Sequence, residues 1–97
     1  MSLPVLLSPA ADREFVEAAA WYEQQAGRGE VFIECVQEVL DRIGQQPELH
    51  AVVYRDLRRA RVQRFPYSVF YRVLPDRVEV IAVFHGKRNP QIWQSRA

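Results

Sequence analysis

The chain has 97 residues, of which 48% are hydrophobic and 26% are charged, and its formal net charge is +1. These values are typical of one globular domain, residues 1–97, and exclude a disordered or fibrous protein; no apolar run approaches the roughly 20 residues that cross a bilayer, so no membrane partner is expected. The small net charge hides two oppositely charged halves, because residues 1–50 carry three basic and nine acidic residues (net −6) and residues 51–97 carry ten and three (net +7).

The first predicted elements are a short strand and a helix. Residues 3–7 are apolar and contain Pro4, which suits an edge strand. They lack the basic segment and cleavage site of a signal peptide, so a cytoplasmic protein is expected. Ser8 and Pro9 predict the start of a helix that ends at Gly27. Its apolar stripe has spacings of three and four and comprises Phe15, Ala18, Ala19, Tyr22 and Ala26.

A second helix is predicted between Gly29 and Gly44, with Pro47 preventing its continuation. Its apolar stripe comprises Phe32, Cys35, Val36, Val39, Leu40 and Ile43. Cys35 is the single cysteine, so we interpret it as a small buried hydrophobe, and no metal or cofactor is expected. The short link between the helices predicts an antiparallel hairpin that covers one face of a sheet.

The second half of the chain predicts strands. Residues 59–63 alternate basic or polar side chains with apolar ones, which is typical of a strand with one solvated face. Pro66 ends that strand, residues 67–74 form the next, and a turn at Pro75 leads to an apolar strand at residues 77–84. The predicted fold is therefore α+β, in the order β-α-α-β-β-β, with the helical hairpin on one face of a small, mostly antiparallel sheet.

Several segments resemble one known family. They are EAAAWYEQQ at residues 17–25, RFPYSVFYRV at residues 64–73, DRVEVIAVFHGKR at residues 76–88 and the late Trp93. In this order they resemble the RelE/ParE superfamily, the toxins of type II toxin-antitoxin systems, which include plasmid stabilization proteins. The resemblance covers nearly the whole chain and is specific for the superfamily rather than for one of its branches.

One branch of that superfamily consists of ribosome-dependent endoribonucleases that cleave mRNA, and this is the function predicted first for the chain. The resemblance implies Arg61 and Arg88 as catalytic residues that stabilise the phosphate charge, with His85 as a proton-transfer group. It further implies RNA- or antitoxin-binding roles for Arg55, Arg58, Arg59, Arg64, Lys87 and Trp93. Two positions depart from the pattern: Ser68 stands where this branch often has arginine, and Trp93 lies near the place of a tyrosine and cannot transfer a proton.

The other branch resembles DNA gyrase inhibitors, which are not enzymes and bind the topoisomerase through helix and tail surfaces. A third hypothesis is an inactive module that only binds an antitoxin. Both branches imply a cognate acidic antitoxin that wraps the basic sheet face, with assemblies of toxin-antitoxin heterodimers, and a ribosome with mRNA or gyrase as target. The alternative for the arginines is neutralisation by the acidic helices within the fold, and for His85 a structural hydrogen bond.

Overall fold

The computed structural model describes residues 2–97. Its elements in chain order are β1 (Val5–Leu7), α1 (Pro9–Ala26), α2 (Gly29–Gln45), β2 (Val52–Tyr54), β3 (Leu57–Arg61), β4 (Tyr67–Val73), β5 (Val78–His85) and α3 (Gln91–Gln94). The five strands form one sheet in the order β1-β5-β4-β3-β2, antiparallel except for the parallel pair of β1 and β5. The predicted α+β class is confirmed, with β2 and α3 as unpredicted additions.

Local chemistry sets the bounds of the helical hairpin. The Ser8 hydroxyl accepts a hydrogen bond from the Ala11 amide at 3.1 Å, which caps α1 as predicted. Gly27 ends the helix with a left-handed φ of 63°, a conformation that costs glycine little. Gly29 then permits a tight link, because an added Cβ would lie 2.9 Å from Glu23. The two helices therefore pack side by side after a very short connection.

The main core lies between the hairpin and one face of the sheet. Its largest fully buried members include Phe32 and Ile43 from α2 and Tyr71 from β4. Burying one such side chain stabilises the fold by about 1.5–3 kcal/mol. The Tyr71 hydroxyl donates to the Pro47 carbonyl at 2.9 Å, so its one polar group is satisfied. The predicted alternation of β4 is confirmed, because Tyr67, Val69, Tyr71 and Val73 all pack on this core.

Strand β5 is apolar on both faces because both faces are covered. Val80 and Val83 pack toward the helices, whereas Ala82 and Phe84 belong to a second cluster on the opposite face of the sheet. Strand β1 pairs only with residues 78–80, so the later part of this edge of β5 has no neighbouring strand within residues 2–97. That stretch is bonded instead by side chains from α1 and from the segment after α3.

One predicted strand needs correction in its bounds, and one observed strand was not predicted. The strand predicted at residues 59–63 runs from Leu57 to Arg61, because the register with β4 ends at Arg61 and Ser68. The unpredicted β2 reaches β3 through a turn in which Arg55 has a φ of 52°, a conformation that the sequence does not mark with glycine or asparagine. Within residues 2–97 no helix is long and apolar enough to cross a membrane.

Candidate functional site

The sheet surface that faces away from the hairpin is called the open face. Its side chains lie in rows across the strands, one row being Arg61, Ser68 and Phe84 and the next being Arg59, Phe70 and Ala82. The rows follow from strand alternation, since Ala60 and Val69 between them point into the main core. The open face is therefore cationic along β3 and apolar along β4 and β5.

The two arginines of β3 are available to a partner. Arg59 and Arg61 are both exposed, and within residues 2–97 neither has a carboxylate within ion-pair distance. By contrast Arg72, near the end of β4, pairs with Asp56 at 3.3 Å. The planar guanidinium fork matches a carboxylate or phosphate in two-point geometry. The open face can thus bind an anionic group.

Further cations lie at one end of the sheet. The Gly86 amide donates to the Pro66 carbonyl at 2.8 Å, which joins the end of β5 to the connection between β3 and β4. This contact places four cations at the same end, here named the basic end: Arg61, Arg64, Lys87 and Arg88. Arg55 lies at the opposite end of β3, where its guanidinium is 5.5 Å from the centre of the Tyr54 ring.

Arg58 faces the helix side and bonds within the chain. Its Nη1 donates to the carbonyl of His50 at 2.7 Å and to that of Glu48 at 3.2 Å. These two bonds hold the connection between α2 and β2 against the sheet. Arg58 therefore holds the fold through Nη1, whereas Arg59 and Arg61 are exposed on the open face.

A single carboxylate on α1 binds two arginines of residues 86–97, here named the tail. Glu14, whose side chain is 12% exposed, accepts from the Val83 amide at 3.1 Å and pairs with Arg96 at 2.9 Å. Arg88 approaches the same carboxylate to 3.8 Å and lies 4.5 Å above the Phe84 ring. Arg96 also donates to the Ile81 carbonyl at 3.0 Å. Nothing in the sequence singled out Glu14, because its partners are 69 and 82 residues away.

His85 lies on the opposite side of the sheet from Arg61. Its ring packs against Tyr67, which belongs to the main core, at 5.2 Å between ring centroids. Its Nδ1 accepts from the Lys87 amide at 3.0 Å. The neutral ring consequently carries its proton on Nε2 and keeps no free lone pair. The structure thus brings Arg61 and Arg88 to one end of the sheet but leaves His85 on its other face.

Trp93 packs on the apolar part of the open face. Its ring is stacked on Phe70 with centroids 3.9 Å apart and an angle of 16°, and the residue is 7% exposed. A second contact, edge to face, joins it to Tyr54 at 6.0 Å. The ring surface that a base would need is already in contact with Phe70. Among residues 2–97 no three His, Cys, Asp or Glu side chains form a group that could hold a metal ion.

The sequence matches the family model described as "ParE toxin of type II toxin-antitoxin system, parDE" over residues 5–90. The chain belongs to this ParE toxin family. The matched segment includes both long helices, all five strands and the basic end, and it stops before Trp93 and Arg96. The predicted resemblance to the RelE/ParE superfamily is thereby confirmed.

Relatives and structures agree with this family. Toxin ParE2 of Mycobacterium tuberculosis, from strains CDC 1551 / Oshkosh and H37Rv, is 34% identical over 55 residues, 57% of this chain and 52% of the relative. The match thus spans about half the length of these curated relatives. The chromosomal ParDE system of P. aeruginosa has a TM-score of 0.65 at 13% identity, covering 87% of this chain and 96% of that one. The YoeB dimer of Staphylococcus aureus has a TM-score of 0.56 at 16% identity, covering 88% and 99%. At these identities both structures establish a shared fold.

Proposed function

We propose that this ParE-family chain is a toxin that inhibits DNA gyrase by binding it, without enzymatic activity, and that a cognate acidic antitoxin neutralises it. The observation that carries this proposal is the separation of His85 from Arg61 by the thickness of the sheet. Membership in the ParE family favours the same branch.

Cleavage of RNA by its own 2′-hydroxyl needs a base to remove the proton and an acid to protonate the leaving oxygen. Arginine and protonated lysine can only donate, so Arg61 and Lys87 do not supply the base. The carboxylates that border the described open face are engaged, Asp56 with Arg72 and Glu79 with Arg77, the residue just before β5. His85 has its Nδ1 lone pair in a hydrogen bond. These side chains can hold an anion more readily than they can move a proton.

The antitoxin part of the proposal rests on charge. Arg59 and Arg61 on the open face continue into the basic end, and a segment rich in carboxylates would find donors along this whole path. Attraction between exposed charges is screened beyond a Debye length of about 8 Å at physiological ionic strength. Association with the antitoxin should therefore slow as the salt concentration rises.

The decisive experiment compares the two targets directly. Purified toxin is added to a DNA gyrase supercoiling assay and, in parallel, to translating ribosomes with an mRNA reporter, while cells expressing the toxin alone are labelled with thymidine and methionine. We expect inhibited supercoiling and an early fall in thymidine incorporation, with the mRNA intact. The variants Arg61→Ala and His85→Gln should retain this inhibition.

Three results would contradict the proposal. Early loss of methionine incorporation with cleaved mRNA, abolished by Arg61→Ala, would establish the endoribonuclease instead. Unchanged growth together with antitoxin binding would indicate an inactive binding module. Unaffected gyrase in the purified assay, with growth still arrested, would leave the toxin with another target.

A further inference from the structure

One edge of the sheet is formed by β2, which pairs with β3 on its inner side and has no strand on its outer side within residues 2–97. Leu49, Val52 and Val53, in or just before this strand, are 59%, 49% and 41% exposed, and they are three of the eight large exposed hydrophobic residues in the described chain. Residues 51–54 carry no charged side chain and no proline. Natural proteins usually protect an edge strand with charges, proline or a covering segment. The edge of β2 therefore has the composition of a strand that accepts another strand.

The backbone of this edge directs polar groups outward. The Ala51 carbonyl accepts from the Arg59 amide at 3.2 Å, so the carbonyl of Ala51 points toward β3. Because the backbone groups of successive residues in a strand point to opposite sides, the N–H and C=O of Val52 point away from β3. Within residues 2–97 no side chain bonds to them, in contrast to the edge of β5, where Glu14 and Arg96 bond to the backbone. Val52 thus offers one donor and one acceptor to a strand of another molecule.

A second copy of the same edge meets these requirements. Antiparallel pairing about Val52 joins the Val52 N–H of each copy to the Val52 C=O of the other, which gives two hydrogen bonds related by a two-fold axis. Arg55 follows β2 and Glu48 precedes it, so this pairing places the Arg55 of each copy near the Glu48 of the other. Within residues 2–97 neither side chain has an ion pair, whereas Asp56 is occupied by Arg72. Opposite charges therefore meet at both ends of the paired strands.

The charges that flank β2 disfavour an acidic strand from another protein. Glu48, Arg55 and Asp56 are the charged residues next to the strand, two carboxylates and one guanidinium with a net charge of −1. The four cations of the basic end lie at the opposite end of β3 from Arg55. An acidic segment is repelled by like charges at this edge, whereas two identical segments in antiparallel orientation bring both signs to each other. The charge pattern therefore identifies a second copy as the occupant.

We propose that two copies of this chain pair through β2, antiparallel and centred on Val52, and thereby join their two five-stranded sheets into one continuous sheet. The two-fold axis is perpendicular to the sheet, so both helical hairpins lie on one side and both open faces on the other. The dimer is weak, with a dissociation constant on the order of 100 μM, because a short edge strand buries less than the roughly 1,200 Å² of a standard interface. This dimer is independent of the target of the toxin and of its antitoxin.

Sedimentation equilibrium of the full chain, from micromolar to millimolar concentration, measures the dimer. Val52→Lys and Val52→Glu each place like charges directly opposite one another and should raise the dissociation constant about tenfold. An equimolar mixture of the two variants places opposite charges across the axis and should restore a 1:1 dimer. Val16→Lys is the matched control, because Val16 is a 60% exposed valine on α1, and this variant should dimerise like the native chain. Circular dichroism and thermal unfolding establish that each variant is folded.

Amide hydrogen exchange locates the contact. The Val52 amide should exchange more slowly as the protein concentration rises, whereas the Arg59 amide, already bonded to Ala51, should not change. The proposal is overturned if the chain stays monomeric at millimolar concentration, if the mixed variants stay monomeric, if Val16→Lys weakens association as much as Val52→Lys, or if Val52 exchange is independent of concentration. A monomeric chain whose binding to the cognate antitoxin is weakened by Val52→Lys would assign the edge to an antitoxin strand. These dimer measurements contain no gyrase, so their failure and that of the proposed function give separate results.

Discussion

Arginine has opposite roles on the open face and on the side of the sheet next to α1, here named the flank of α1. On the open face Arg59 and Arg61 extend into solvent with no carboxylate of residues 2–97 in reach, whereas on the flank Arg88 and Arg96 converge on Glu14. Strand alternation alone exposes the first pair. The largely buried carboxylate of Glu14 binds Arg88 and Arg96 and thereby holds the tail. Arginine content therefore predicts a binding surface only after the arginines that fasten the fold have been identified.

The comparison extends to the charge asymmetry of the two halves. Among the ion pairs of residues 2–97, Glu14 is the only acidic residue of the first half that pairs with an arginine of the second. The other acidic side chains of the helices do not neutralise the sheet. The charge that separates along the sequence therefore remains separated on the molecular surface, which favours a partner-binding role over internal neutralisation.

The largest expected effect concerns Trp93, whose ring covers the apolar part of the open face. Trp93→Ala removes the ring that covers Phe70 and should lower the free energy of unfolding by about 3 kcal/mol, as for other buried tryptophans. Urea denaturation measures this loss. Trp21→Ala is the control, because an exposed position should change stability by about 0.5 kcal/mol or less. Equal losses for the two variants would refute the role of Trp93 as a cover.

Substitution of Glu14 should have the next largest effect on stability. Glu14→Ala leaves Arg96 and the Val83 amide without their acceptor and should cost about 2 kcal/mol of stability. Glu14→Gln keeps an acceptor for the amide and should cost about 1 kcal/mol. Thermal or urea unfolding distinguishes the two. If Glu14→Gln loses no stability, the charge of Glu14 contributes nothing to the tail contact; if it loses as much as Glu14→Ala, the retained acceptor contributes nothing.

The available arginines should affect association more than stability. Replacing Arg59 and Arg61 together by alanine should change the free energy of unfolding by about 0.5 kcal/mol or less. The rate of association with the antitoxin should fall about tenfold at low salt, and the difference should shrink as salt rises. Stopped-flow measurements give these rates. Arg77→Ala is the matched control, since Arg77 is paired with Asp76; an equal fall there would argue against a localised surface.

The smallest effect is a pH dependence at the edge of the main core. Burial, and then the nearby Arg42, lower the pKa of His50 from its usual 6.5, and its Nε2 is buried without a hydrogen-bond partner among residues 2–97. A histidine with a lowered pKa stabilises the fold fully above pH 6.5, and this contribution is lost as the pH falls through the folded-state value. Melting temperatures of the native chain and His50→Gln between pH 8 and 5 test the expectation. A pH dependence that persists unchanged in the variant would assign it to other groups.

The sequence predicted those parts of the fold that depend on local chemistry. Ser8 and Gly27 bound the first helix as expected, and the alternation of β4 placed Tyr71 in the core. The strand β2 escaped prediction because three residues give no periodicity, and its turn uses Arg55 at positive φ. The alternation of residues 59–63 predicted that Arg61 is exposed. It did not predict that His85 lies on the opposite side of the sheet from Arg61. Which side of the sheet a residue occupies after a register shift is decided by long-range pairing.

The edge of β5 that β1 leaves free is covered by contacts that form late in folding. Beyond β1, this edge is sealed by Glu14 at the Val83 amide and by Arg96 at the Ile81 carbonyl, two side chains 82 residues apart in the chain. Contacts between such distant residues form late in folding. During synthesis Glu14 is present before the strand exists, while Arg96 follows it. Until the Arg96 contact forms, the Ile81 carbonyl on this edge lacks its donor, so the sheet is more open to pairing with another chain.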